Sequence, residues 1–270
     1  RLPAANRSRQ DAAPTKKILT GLELPSKEVQ GGIVLIVERQ NWGIADLGRI
    51  AYEEAWALQT RLVEARADGS LPHDVILMLE HPPVFTLGKR GGRESLLLPE
   101  ERLRRLGIAV VQVERGGNIT YHGPGQLVAY PIIDLKGWNQ DVHAYCRSLE
   151  EVVIRSLGDF GIVGSRIKGA TGVWVGNEKI AAIGVRVSRW VTSHGFALNV
   201  NPDLSYFCQI VPCGISDKGV TSMSVLLGSP VDREAVERSV VRHFSEEFRR
   251  DVREVGLQDL ASAAVSSRQL

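Results

Sequence analysis

The sequence predicts an α+β fold: a mixed, largely antiparallel sheet flanked by helices. Short β-branched or apolar runs arrive mostly in neighbouring pairs, separated by turns that contain Gly, Pro or Asn. Longer stretches with apolar residues at three- and four-residue spacing are inserted between groups of those runs, rather than alternating strictly with single strands as a doubly wound parallel sheet requires. No internal repeat is present, which excludes a solenoid.

Residues 1 to 31 are rich in Pro, Ser and charge without a sustained period, and are expected to form a disordered extension. Gly31 and Gly32 then launch Ile33–Val37, a buried-strand candidate. Between Ile44 and Ala67 the positions Ile44, Leu47, Ala51, Ala55, Leu58, Leu62 and Ala65 predict an amphipathic helix closed by Asp68-Gly69. Val75–Leu79 is a second buried strand, broken by His81-Pro-Pro, and Val84–Leu87 a third. Pro99–Leu106 predicts a short helix stopped by Gly107. Strand-forming runs at Ile108–Val113 and Leu127–Ile133 flank a glycine-rich stretch and are expected to form a hairpin around it. Val142–Phe160 is helical, with an apolar stripe through Tyr145, Leu149, Val152, Val153 and Leu157. Gly172–Val175 and Lys179–Val187 form a hairpin about Gly176-Asn177, and Val191–Val200 is the next strand. Val231–Val255 is a terminal helical region. The main domain is therefore expected over residues 32 to 256, with residues 257 to 270 as a frayed tail.

A formal charge of +2 is too small to point to nucleic acid. No apolar run reaches the length of a membrane span. Three cysteines do not make a disulfide framework, and a reducing, cytoplasmic setting is expected. Residues 1 to 17 carry Arg1, Arg7, Arg9, Lys16 and Lys17 against Asp11 alone, so an organellar targeting remnant and a plain disordered tail both fit.

The stretch Arg115-Gly-Gly-Asn-Ile-Thr-Tyr-His-Gly-Pro-Gly-Gln126 holds four glycines in a dozen residues. Glycines leave backbone amides uncovered, which suits a ligand lying against main chain; a turn-rich hairpin tip has the same composition. Cys146 and Cys208 fall in apolar segments and are expected to pack. Cys213 differs, because Pro212 and Gly214 place it on a turn where a thiol is accessible and neighbouring amides can face an oxyanion. A thiol that titrates near pH 8.5 needs help to ionise at neutral pH. Lys179 is either a solvated strand-edge lysine or the cation that supplies that help. His122 and His194 each precede a glycine, and either could pair with Cys213, line a pocket or satisfy a carbonyl. His81 is a candidate for the pocket rim, whereas His73, His143 and His243 read as surface or packing residues. The cysteines lack metal-site spacing, and the chain has neither a phosphate loop nor a dinucleotide fingerprint, so no metal and no cofactor are expected.

Three blocks, Arg115–Leu127, Gly172–Gly184, and His194–Val200 with Pro212–Ile215, closely resemble in order and spacing the lipoyl/octanoyl transferases of lipoate biosynthesis, a family related to the biotin and lipoate protein ligases. The resemblance covers roughly residues 33 to 250. It implies a ligase-like catalytic domain in which Cys213 is the acyl-thioester nucleophile and Lys179 lowers its pKa. Arg115, Gly116, Gly117, Asn118, Ile119, Thr120, Tyr121 and His122 would then wall the acyl site, completed by Ala182, Ile183, Gly184, Gly195, Phe196 and Ala197. The implied donor is octanoyl-acyl carrier protein. The implied acceptors are lipoyl domains of 2-oxoacid dehydrogenase complexes and the glycine cleavage H protein. Lys89, Arg90 and Arg93 are candidates for steering acidic partners. An ATP-dependent lipoate or biotin ligase, a thiol hydrolase using His194 or His122, and a silent binding module are the alternatives.

Overall fold

The computed structural model describes residues 41–211 and 218–256 together with Gln258 and Leu260. The expected strand Ile33–Val37, the extension before it and the Cys213 turn lie outside the described residues. In chain order the elements are β1 (Asn41–Arg49), α1 (Tyr52–Asp68), β2 (Val75–Glu80), β3 (Val84–Leu87), α2 (Glu100–Arg105), β4 (Ala109–Gln112), β5 (Ile119–His122) and β6 (Gln126–Ile132). They continue with α3 (Val142–Gly158), β7 (Ser165–Ile167), β8 (Ala170–Val175), β9 (Glu178–Ser188), β10 (Val191–Asn199), β11 (Gly219–Val220), α4 (Met223–Leu227), α5 (Arg233–Phe248) and β12 (Asp251–Glu254).

Strands β2 and β6 are buried at every position, which explains their unbroken apolar runs. Their alternation sets the layers. Ile76 and Met78, with Leu127 and Ala129, face a core shared with Tyr145, Leu149 and Val153 of α3 and Val240 and Phe244 of α5. Val75, Leu77 and Leu79, with Val128 and Ile132, face the opposite way onto Ala55 and Leu62 of α1. Each such Val or Leu contributes about 1.5–3 kcal/mol when fully buried. Leu260, in the stretch expected as a frayed tail, is buried in this second core.

The main sheet runs β12-β1-β2-β6-β10-β9-β8-β7, with β11 beside β9. The path from β2 to β7 is antiparallel, while β1 pairs in parallel with both its neighbours. A second sheet, β4-β3-β5, carries its own core of Phe85, Leu87, Leu103, Ile119 and Tyr121.

Three expectations change. The helix predicted from Ile44 begins only at Tyr52. The preceding residues form β1, because Trp42 and Ala45 are buried and a parallel ladder pairs Gly43 with Val75 and Ala45 with Leu77. The hairpin across Arg115–Gln126 does not form. Ile119–His122 pairs with β3 in the second sheet, so Gly123-Pro-Gly125 carries the chain between sheets. The terminal helix stops at Phe248, Arg249 takes φ 53°, and β12 joins β1.

Candidate active site

A cavity of about 430 Å³ lies between the loop and strand 115–122 on one side and β9 and β10 on the other. Arg115, Gly117, Asn118, Ile119, Thr120 and His122 line the first wall. Ala182, Ile183 and Gly184 of β9 and Gly195, Phe196 and Ala197 of β10 line the second. Two expected wall residues sit behind it. Gly116 ties the loop to β9 by donating its amide to the Val185 carbonyl at 3.0 Å. Tyr121 alternates away from Thr120 and His122 into the core of the second sheet, stacked on Tyr206 with ring centres 4.7 Å apart. Gly195 is required by close approach: a Cβ there would meet the Ala129 carbonyl oxygen inside van der Waals contact and Pro131 Cδ at 2.7 Å.

Arg115 is buried and spans the two sheets. Its Nη2 donates to the carbonyl and hydroxyl oxygens of Thr86, each at 2.8 Å, and its Nη1 donates to the Gly116 carbonyl at 3.0 Å. Beside it stand three buried imidazoles, and hydrogen bonds fix the proton positions of two of them, His81 and His122. His81 Nδ1 donates to the Ile50 carbonyl at 2.8 Å, which leaves Nε2 to accept from the Tyr130 hydroxyl at 2.8 Å. Gln126 donates its amide to the Tyr121 carbonyl and to Asn199 Oδ1, so its own oxygen accepts from His122 Nδ1 at 3.2 Å. His194 takes φ 56° within β10, a conformation held by donation of its N–H to Gln59 Oε1 at 2.7 Å. Its Nδ1 lies 3.4 Å from the Tyr52 hydroxyl, and its Nε2 is buried with no protein partner among the described residues. Burial pushes His81 down to about 4. Burial, then the Arg115 guanidinium, pushes His194 down to about 3. Burial, with His81 and Arg115 beside it, holds His122 well below the usual imidazole value. All three are neutral at pH 7.

Lys179 lies at the other end of the second wall. Its Nζ sits 4.7 Å from the ring centre of Trp174, and Lys218 Nζ is 5.1 Å from the same ring. The lysine stem passes Gly172, where a Cβ would stand 3.4 Å from Lys179 Cε and 2.6 Å from the Ala181 carbonyl oxygen. Val220 of β11 is in register with Lys179, and Thr221 donates its amide to the Lys179 carbonyl at 3.0 Å. Arg90 completes the cationic set on the wall, and no Asp or Glu is among the described residues that line it. Cys213 lies outside the described residues, but Ile210 and Lys218 to either side of its segment both line the cavity. Cys208, expected to pack, is exposed. Cys146 is half-buried, and burial and Glu150 push its thiol up to about 11. No group of three or more His, Cys, Asp or Glu among the described residues could hold a metal ion.

The lipoyl protein ligase A/B catalytic domain family matches residues 51–245. The octanoyltransferase of Solibacter usitatus (strain Ellin6076) is 53% identical over 209 residues, which cover 77% of this chain and 94% of that protein. This chain belongs to the octanoyltransferase family. The family member from Koribacter versatilis (strain Ellin345) is 49% identical over 214 residues, covering 77% of this chain and 85% of its own. Among solved structures, lipoate-protein ligase A bound with ATP has a TM-score of 0.64 at 16% identity, covering 86% of this chain and 95% of that one. The bipartite lipoate protein ligase of Thermoplasma acidophilum has a TM-score of 0.66 at 17% identity, covering 85% and 93%. At those identities the likeness is one of fold, and it is the ligase-like α+β architecture expected from the sequence.

Several cavity residues of this octanoyltransferase family member were not singled out by its sequence: Tyr52, Tyr130, Asn199, Trp174 and Lys218. Trp174 and Asn199 lie inside the Gly172–Gly184 and His194–Val200 blocks that carry the resemblance, and Lys218 stands close in sequence to Cys213. Tyr52 had no such signal, because its position at the start of α1 depends on β1 being a strand.

Proposed function

We propose that the chain moves an octanoyl group from octanoyl-acyl carrier protein, through an acyl thioester on Cys213, to a lysine of lipoyl domains, including those of 2-oxoacid dehydrogenase complexes and the glycine cleavage H protein. The observation that carries this reading is the placement of Lys179 on the wall of a glycine-lined cavity, with Ile210 and Lys218 on that same wall. Those two residues bracket the segment that contains Cys213, and the cationic lining favours a thiolate there.

In the first half-reaction the Cys213 thiolate attacks the donor thioester carbonyl. The new carbon–sulfur bond forms, the bond to the carrier's sulfur breaks, and that departing sulfur takes a proton from Lys179. In the second, a neutral acceptor amine attacks the acyl-cysteine. The carbon–nitrogen bond forms, the Cys213 sulfur leaves as thiolate, and the amine's proton passes to Lys179, which restores the starting ion pair. Thioester-to-amide transfer is downhill, so ATP has no part in it. Arg90 and Lys218 at the cavity, with the exposed Lys89 and Arg93, suit acidic protein partners.

Intact-mass spectrometry after incubation with octanoyl-acyl carrier protein tests this. A single octanoyl adduct is expected without ATP, absent in Cys213→Ala and formed orders of magnitude more slowly in Lys179→Met. An adduct that survives Cys213→Ala, or acyl transfer that requires ATP, would overturn the reading and favour a ligase.

A further inference from the structure

We propose that Trp174 is a positioning residue whose indole ring holds the Lys179 ammonium at the cavity wall. This role rests on the transferase reading, in which Lys179 carries the proton. Trp174 and Lys179 are a cross-strand pair of β8 and β9, and Lys179 Nζ lies 4.7 Å from the ring centre, within cation–π range. A register shift makes the pair. Val173 is opposite Ala181, so regular pairing would put Ile180 opposite Trp174; the shift between Val173 and Trp174 puts Lys179 there instead. The ring is itself fixed: it is 2% exposed, and its Nε1 donates to the Ala170 carbonyl at 3.0 Å. Gly172 leaves room for the lysine stem, since a Cβ there would stand 3.4 Å from Lys179 Cε and 3.6 Å from its Cδ.

A ring suits this lysine better than a carboxylate would. Lysine has a flexible stem and a strongly hydrated head, so its ammonium stays in one place only where something holds it. An Asp or Glu would hold it by an ion pair, and would cancel the positive potential that favours a neighbouring thiolate. An indole carries no net charge. Its quadrupole attracts the cation at short range and leaves the field at longer range nearly intact. Trp174 lines the cavity, and no Asp or Glu is among the described residues that do. Lys218 Nζ, 5.1 Å from the same ring, also donates to Asn177 Oδ1 at 3.3 Å, so the ring gathers two of the wall's cations.

The test is a double-mutant cycle in single-turnover acylation, run in Lys218→Met so that Lys179 is the ammonium under study. Octanoyl-acyl carrier protein is titrated in excess, and intact mass gives the first-order rate constant at saturation and the half-saturating donor concentration. A first-order rate constant does not depend on how much of a variant is folded. Trp174→Phe keeps an aromatic face and loses the bond to Ala170. Trp174→Leu, or Trp174→Met where leucine does not fold, loses both. The non-aromatic variant should acylate about five- to thirtyfold more slowly than Trp174→Phe, the worth of a partly or fully desolvated cation–π contact, with half-saturation changed less than about twofold. In Lys179→Met the same exchange should alter the rate less than about twofold, because no ammonium is left to hold. Equal rates in the aromatic and non-aromatic variants, an equal loss in the Lys179→Met background, or a change confined to half-saturation would overturn the positioning role and leave Trp174 as plain cavity wall. Failure of wild type to form an adduct would instead overturn the transferase reading.

Discussion

Replacing Glu150 with alanine should cost about 3 kcal/mol of folding stability. Its carboxylate is 4% exposed and joins three elements. Oε2 accepts from Arg147 Nη1 and Arg166 Nε, both at 2.9 Å, and Oε1 accepts from the buried Gly172 amide at 3.1 Å. The arginine side chains are 58% and 31% exposed, so water can take over much of their solvation once the carboxylate is gone. The Gly172 amide cannot be rescued in this way, and a buried unpaired donor costs about 1–3 kcal/mol. Loss of the charge-assisted bonds to α3 and β7 brings the total to about 3 kcal/mol, toward the lower end for a broken buried ion pair. Thermal melting should then fall by about 6–12 °C. Glu150→Gln keeps an acceptor for Gly172 and should lose about half as much. Hydrogen exchange at the Gly172 amide is the discriminating measurement, with protection lost in Glu150→Ala and largely kept in Glu150→Gln. Wild-type protection at Gly172 in the alanine variant would refute the reasoning, whatever the melting temperature.

Gly195→Ala should destabilise by about 1–3 kcal/mol or more, because its Cβ meets the β6 backbone, which cannot step aside like a flexible side chain; an unchanged urea midpoint would show that β6 and β10 can part. Stability should fall as pH drops below 6.5. There the unfolded chain binds protons that native His81 and His194 refuse down to about pH 4 and 3, and each imidazole contributes up to about 1.4 kcal/mol per pH unit. His81→Gln should flatten the slope of unfolding free energy between about pH 6.5 and 5, and an unaltered slope would remove His81 from that account.

The parts legible in the sequence are those that local chemistry decides. Asp141 caps α3 by accepting from the His143 and Ala144 amides, Gly69 ends α1 in a left-handed conformation, and the Gly176-Asn177 turn joins β8 to β9. Spacing alone could not separate β1 from the helix that follows it. Ile44 and Leu47 suit a helical stripe, but pairing to a strand 32 residues away (Ile44 with Ile76) decides the matter. Thr120 and Tyr121 are neighbours in one quoted block yet face opposite ways, since β5 has a core on one side and the cavity on the other. The misjudged Cys208 has the same origin: an apolar neighbourhood in sequence is not burial, and its short 3-10 turn at Leu204–Gln209 has no buried residue.

The electrostatics of the cavity bear on how much can be asked of Lys179 alone. Burial is the first cause that keeps His122 and His194 neutral, and Arg115 is a further cause acting on both. A field that disfavours an imidazolium favours a thiolate within its reach, because both are responses to the same positive potential. Arg90, Arg115 and Lys218 remain on the wall when Lys179 is replaced. On the proposed mechanism, Lys179→Met removes the proton shuttle and one of four cations, whereas Cys213→Ala removes the atom proposed to carry the acyl group. A slow reaction in the first variant and none in the second follow from that difference, and equal, complete loss in both would mean that the other three cations cannot take the place of Lys179.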